Sequence, residues 1–172
     1  MRRTVFAVLA LSFAICWPCT ALAQSSGDEA AVNQVIDRVF ELEVAKDMTA
    51  QAELMADDRI RILPQIGRMT DHAMDMQMQQ AVMDLEDDIV PGIQWFYEVR
   101  DRIIRFYGDG DVAVASFYIY STFVLPAGAP TDLPGYATQS QPFVLTWVME
   151  KQQGDWKIVH THGSSLNPPV VQ

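Results

Sequence analysis

The hydrophobic period of this chain changes once, at Pro91-Gly92, and that change decides its fold class. Before it, Val32, Val35, Ile36, Val39 and Phe40 recur three and four residues apart and mark one stripe of a helix. After it, apolar and polar residues alternate over four stretches, the period of strands. Helices followed by an antiparallel meander form the α+β pattern. The helical stripe must be buried against one face of the sheet. A strongly curved sheet with helices at one end then leaves a cone-shaped hollow, and such hollows commonly hold ligands.

Punctuation along the chain sets the expected boundaries. Ser26-x-x-Glu29 reads as a capping box opening a helix over about 28–46, with Asp37, Arg38, Glu41 and Lys46 on its wet side. Asp47 or Thr49 can start a short second helix that ends near Met55, where Asp57-Asp58 breaks it. Arg59 to Leu63 alternates and stops at Pro64, which predicts a short edge strand. Gly67 marks a turn, and Thr70 or Asp71 caps a third helix running to about Asp87. Long strands are expected over 93–107, bulged near 98–101, and over 112–124, with Gly108 to Asp111 as their hairpin turn. Two more follow over 143–151 and 156–165. Between them, 125–142 is a long loop rich in proline and glycine.

The N-terminus reads as a signal rather than as fold. Arg2 and Arg3 precede an apolar run from Val5 to about Ile15, and Ala21-Leu22-Ala23 is a small-x-small cleavage site. The apolar run is too short to span a bilayer. Residues 1–23 are thus expected to be removed, placing the protein in the periplasm or outside the cell. A polar leader at 24–27, a domain over 28–166 and a tail at 167–172 remain. Both cysteines, Cys16 and Cys19, leave with the signal, which excludes disulfides, thiolate metal sites and a cysteine nucleophile. The chain carries 12 basic and 22 acidic residues, and cleavage would also remove Arg2 and Arg3. That charge argues against nucleic acid, whose binding rests on neutralising phosphates, and against anionic membranes.

Two of the three histidines sit in the last strand. Strict alternation puts Trp156, Ile158, His160 and His162 on one side and Lys157, Val159 and Thr161 on the other. Because Lys157 prefers water, the histidines are predicted to face the hollow. There an imidazole can serve as general acid or base. The same pair could share a metal with a third ligand, or hydrogen-bond loops and seal the sheet.

The order helix, helix, short strand, helix and four long strands, ending in Trp156-x-x-x-His160-x-His162-x-Ser164, resembles the nuclear transport factor 2-like superfamily. The similarity covers roughly 28–166 and lies nearest its polyketide-cyclase-like (SnoaL-like) and kinase association-domain branches. The resemblance implies a cone-shaped α+β domain, a curved antiparallel or mixed sheet wrapped around N-terminal helices, with one deep pocket. It also implies a homodimer formed through the outer sheet face, and functions that range from isomerases, dehydratases and cyclases to proteins that only bind or assemble. Positions where the association-domain branch has pocket arginines align with Ile119 and Leu145 here. The predicted pocket is therefore apolar, lined by Phe117, Ile119, Leu145 and Trp147, with His160 and His162 as its polar and candidate catalytic groups.

Three functions fit this reading: a binding protein or small lyase- or isomerase-type enzyme for an apolar or neutral small molecule; a non-catalytic assembly module; and Cu(I) handling. The last rests on His72-Ala73-Met74-Asp75-Met76-Gln77-Met78, although helical geometry turns Met76 away from Met74 and Met78. The plainer reading of that run is a soft apolar helix lining the cavity or a dimer contact. No motif calls for a cofactor or a resident metal.

Overall fold

Apolar residues that alternate along four strands can be buried together only if the strands bend into one sheet and a helix covers its concave face. The computed structural model shows that arrangement, describing residues 18–64, 66–129 and 142–166, with side chains from 26 onward. Helices α1 (Pro18–Val44), α2 (Met48–Ala52) and α3 (His72–Ile89) accompany strands β1 (Met55–Leu63), β2 (Gly67–Met69), β3 (Gln94–Tyr107), β4 (Val112–Val124), β5 (Phe143–Gln152) and β6 (Asp155–Ser165). One six-stranded sheet has the order β2-β1-β6-β5-β4-β3. Its pairs are antiparallel except β1 with β6, which is parallel, so the sheet is mixed and not closed. The expected α+β architecture is present.

Val32, Ile36, Val39 and Phe40 of α1 are buried on the inner sheet face against Ala115, Phe117, Trp147, Met149 and Ile158. Phe40 is the hub. It stacks on Trp147 at 5.9 Å, meets Phe117 edge-on at 6.2 Å and touches Tyr97 at 5.5 Å. Burying side chains of this size contributes roughly 1.5–3 kcal/mol each. Caps fall where turn chemistry puts them: Asp47 accepts from the Ala50 amide and Asp71 from the Met74 amide. In the β3–β4 turn, Gly108 and Gly110 take φ of 63° and 94°, which side chains disfavour.

Three expectations are corrected. First, α1 begins at Pro18, so Ser26 and Glu29 lie inside it rather than at its start. Alanine, leucine and glutamine at 21–24 favour helix, and Gly27 alone costs only about 1 kcal/mol. Second, β1 is longer than 59–63 and is not an edge. It lies between β2 and β6, and the parallel partner comes from the far end of the chain. Third, the methionines of α3 do not line the cavity. The inward face of α3 carries Asp75, Met76, Gln79, Gln80 and Met83, while Met74, Met78, Val82, Leu85 and Ile89 are exposed. Gln79 is what α3 contributes to the cavity lining, and Met76 lies apart from Met74 and Met78 as helical spacing predicts. Residues 1–17, on which the expected signal-peptide core falls, loop residues 130–141 and the tail 167–172 lie outside the described residues.

Candidate functional site

One residue reverses the expected orientation of the histidines. Along β6, Ile158 pairs with Met149 but His160 pairs with Val148, so β6 advances two residues while β5 advances one. Val159 is the extra residue of a β-bulge, and a one-residue slip exchanges the faces of everything after it. Trp156 and Ile158 point inward, but beyond the bulge Thr161 and Gly163 do. His160 and His162 lie on the outer face, beside Val148 and Thr146 and against Ile60 and Ile62 of β1. Neither lines the hollow, so the predicted placement of these two candidate catalytic residues is corrected.

The hollow is a cavity of about 260 Å³ between α1, α2 and the inner sheet face. Ile119, Leu145 and Trp147 line it as expected. Phe117 does not: it is buried one layer back, edge-on to Trp147 at 5.0 Å, and supports the wall. Val39, Phe40, Leu63 and Phe143 complete the apolar lining.

The polar groups come from elsewhere. Glu43 sits in the last turn of α1 on the same stripe as Ile36, Val39 and Phe40, which aims it into the cavity. Gln51 of α2 is 1% exposed; its Nε2 donates to the Val39 carbonyl at 3.1 Å and to Glu43 Oε2 at 3.3 Å. The Tyr97 hydroxyl of β3 donates to Glu43 Oε1 at 3.2 Å. Burial raises the Glu43 carboxyl above the ordinary glutamate range; bonds from Gln51 and Tyr97 and the charge of Arg61 oppose this without cancelling it. Burial, followed by the charge of Glu43, also holds the Tyr97 phenol well above its usual value, so it remains a donor.

Opposite stand two arginines. Arg59 and Arg61 are two apart on β1 and share its inner face. Asp75 of α3, 1% exposed, bridges both: Oδ2 meets Arg59 at 2.5 Å and Oδ1 meets Arg61. Arg59 also contacts the sulfurs of Met55 and Met76. Burial pushes its guanidinium down to about 10, against the pull of Asp75. His72, at the start of α3, has its pKa lowered by burial and by Arg59. A carboxyl inclined to hold its proton, a phenol that donates to it and a guanidinium whose charge acts on that carboxyl can take up and return a proton and stabilise a developing oxyanion.

Sequence reasoning passed over Glu43, Gln51, Arg59, Arg61, Tyr97 and Thr161. Glu43 carried a readable signal, as a charged residue on an otherwise apolar stripe. The arginines carried none, because Ile60 and Ile62 alternate with them and either set could have faced inward.

An open α+β cone with a polar-based cavity defines a nuclear transport factor 2-like protein. Residues 32–168 match the SnoaL-like domain family, and the chain belongs to it. Among solved structures, a nuclear transport factor 2-like protein of unknown function from Pseudomonas putida superposes with a TM-score of 0.65 at 18% identity, covering 86% of this chain and 92% of that one. A protein from Novosphingobium aromaticivorans named for scytalone dehydratase gives 0.65 at 9% identity, covering 84% and 89%. ActVI-ORFA from Streptomyces coelicolor gives 0.65 at 13%, covering 83% and 98%. These likenesses concern the fold. No curated protein is a detectable sequence relative of this chain.

Proposed function

We propose that this protein is a small lyase- or isomerase-type enzyme that moves a proton on a small cyclic molecule held in the cavity. The observation that carries this reading is Glu43, a carboxyl with a raised pKa at a cavity wall, held by Gln51 and Tyr97. Glu43 acts as the acid–base group, Tyr97 orients it, and Arg61 offsets negative charge that develops on the substrate oxygen. The dehydratase name of one structural neighbour agrees in reaction class. The test needs no known substrate. A panel of cyclic ketones and β-hydroxyketones is incubated with the protein in D2O, and deuterium uptake beside the carbonyl is followed by NMR. Catalysed uptake by the wild type that is lost in Glu43→Gln supports the assignment; uptake on no member of the panel, or uptake unchanged in the variant, refutes it.

A second reading, self-association, is favoured by the outer sheet face. Phe96, Ile103 and Tyr107 are half exposed there, with Ile60, His160 and His162 on the same face. A homodimer would cover them, and sedimentation equilibrium on wild type and Ile103→Lys tests it. The leader and cleavage site at Ala21-Leu22-Ala23 further support export to the periplasm or beyond. N-terminal sequencing of the protein recovered from cells would show a chain beginning at Gln24.

A further inference from the structure

We propose that the cavity takes a flat aromatic carboxylate, seated by its carboxylate on a row of donors formed by Arg61, Thr161 and Trp147. The register makes the row. Arg61 of β1 pairs with Thr161 of β6, and Thr161 pairs with Trp147 of β5, so the three stand side by side on the inner face of adjacent strands. All three line the cavity. Each carries a buried polar atom with no partner among the described residues: Arg61 Nε, Thr161 Oγ1 and Trp147 Nε1. Thr161 is 6% and Trp147 3% exposed.

One unpaired buried polar group costs about 1–3 kcal/mol, and such groups are rare in folded proteins. Three in one row, in the wall of one cavity, mark a place where something else completes the bonds. Their chemistry states what. The guanidinium and indole N–H groups can only donate, and the hydroxyl can donate. The complement is a group made of acceptors. Charge narrows it further: two guanidiniums share one carboxylate, Asp75, so this wall carries excess positive charge within a chain of net charge −10. A carboxylate supplies both the lone pairs and the charge. The remaining wall sets the body. Phe40 lies between the rings of Trp147 and Tyr97, at 5.9 and 5.5 Å, and Ile119, Leu145 and Phe143 fill the rest. Aromatic walls favour a flat aromatic body over a flexible chain.

The inference rests on the same cavity as the proposed function but not on the role of Glu43. Isothermal titration of the purified protein with 2-naphthoate, 2-naphthamide and decanoate tests it. Naphthoate should bind at least tenfold tighter than its neutral amide and tighter than decanoate. Thr161→Val should weaken naphthoate about tenfold or more, and Thr161→Ser should restore most of that loss. As a readout independent of that variant's folding, the Trp147 indole N–H resonance, assigned through Trp147→Phe, should move downfield on adding naphthoate. Equal affinity for acid and amide, no naphthoate binding, or an unmoved indole resonance overturns the carboxylate row; tighter decanoate binding overturns the aromatic body. Glu43→Gln separates the two ideas. Retained naphthoate affinity with no deuterium exchange removes the proton-transfer reading alone. Exchange on neutral ketones without naphthoate binding removes this one alone.

Discussion

Asp75→Asn should be the most damaging single isosteric change in this protein. The carboxylate is 1% exposed and is shared by Arg59, 3% exposed, and Arg61, whose side chain is 12% exposed. Asparagine keeps the volume and removes the charge, leaving two guanidiniums in a low-dielectric wall. The other nearby carboxyl, Glu43, is inclined by burial to stay neutral and so compensates poorly. Breaking a buried pair by removing one partner costs about 3–5 kcal/mol, because the remaining charge is stranded. Against a usual domain stability of roughly 5–15 kcal/mol this is about a fifth or more of the total. At about 2–4 °C per kcal/mol for a chain of this size, Tm should fall by roughly 6–20 °C. Urea unfolding followed by far-UV circular dichroism and tryptophan fluorescence measures the loss. Replacing the cluster together, as Arg59→Met, Arg61→Leu and Asp75→Leu, should recover most of it, since apolar groups of similar volume carry no desolvation cost. A loss below about 1 kcal/mol in Asp75→Asn at neutral pH would refute the reasoning, because the guanidiniums would then have to reach solvent.

Three further outcomes follow from other parts of the fold. Glu43 holds its proton to higher pH when folded than when unfolded, so its contribution to stability is complete below the ordinary glutamate value of 4.5 and is lost as pH rises through the raised value; Glu43→Gln should therefore be more stable than wild type at neutral pH, with the advantage fading toward pH 4 in urea titrations. A Cβ at Gly163 would overlap Leu63 Cδ2 and sit 3.0 Å from Leu145 Cδ2, so Gly163→Ala should destabilise by about 1–3 kcal/mol in the same assay and narrow the cavity that both leucines line. Val82 and Leu85 are 60% and 57% exposed on α3, and Val82→Glu with Leu85→Gln should change unfolding free energy by no more than about 0.5 kcal/mol each, which chemical denaturation can resolve.

The elements were largely legible in the sequence because period and punctuation are local. The change at Pro91-Gly92 separated helices from the meander, and Asp47, Asp71 and the Gly108–Asp111 turn fall where their side chains and φ preferences require. What the sequence hid was relational. Nothing local says that β1 pairs in parallel with β6, so Arg59 to Leu63 looks like an edge when read alone. Val159 is an ordinary β-branched strand residue, and no turn signal marks it as the extra residue of a bulge. A bulge depends on the mismatch between two strands, and that single step carried His160 and His162 out of the site and Thr161 into it.

The same logic explains why the site itself was hard to see. Its residues lie where a rule of burial is broken: Glu43 on an apolar helical stripe, Asp75 and Gln79 on the inward face of α3, Arg59 and Arg61 on the concave side of β1. Each placement costs stability unless a partner answers it. Asp75 answers one nitrogen of each arginine, and Gln51 and Tyr97 answer Glu43. Among the described residues, Arg61 Nε, Thr161 Oγ1 and Trp147 Nε1 are left unanswered. A helix that turns Met74, Met78, Val82, Leu85 and Ile89 to solvent and brings Asp75, Gln79 and Gln80 inward beside Met76 and Met83 buries less apolar surface than the opposite rotation would. The rotation makes sense if the inward face serves a polar cavity rather than a core. Departures from local consistency that converge on one hollow are expected of a binding or catalytic site.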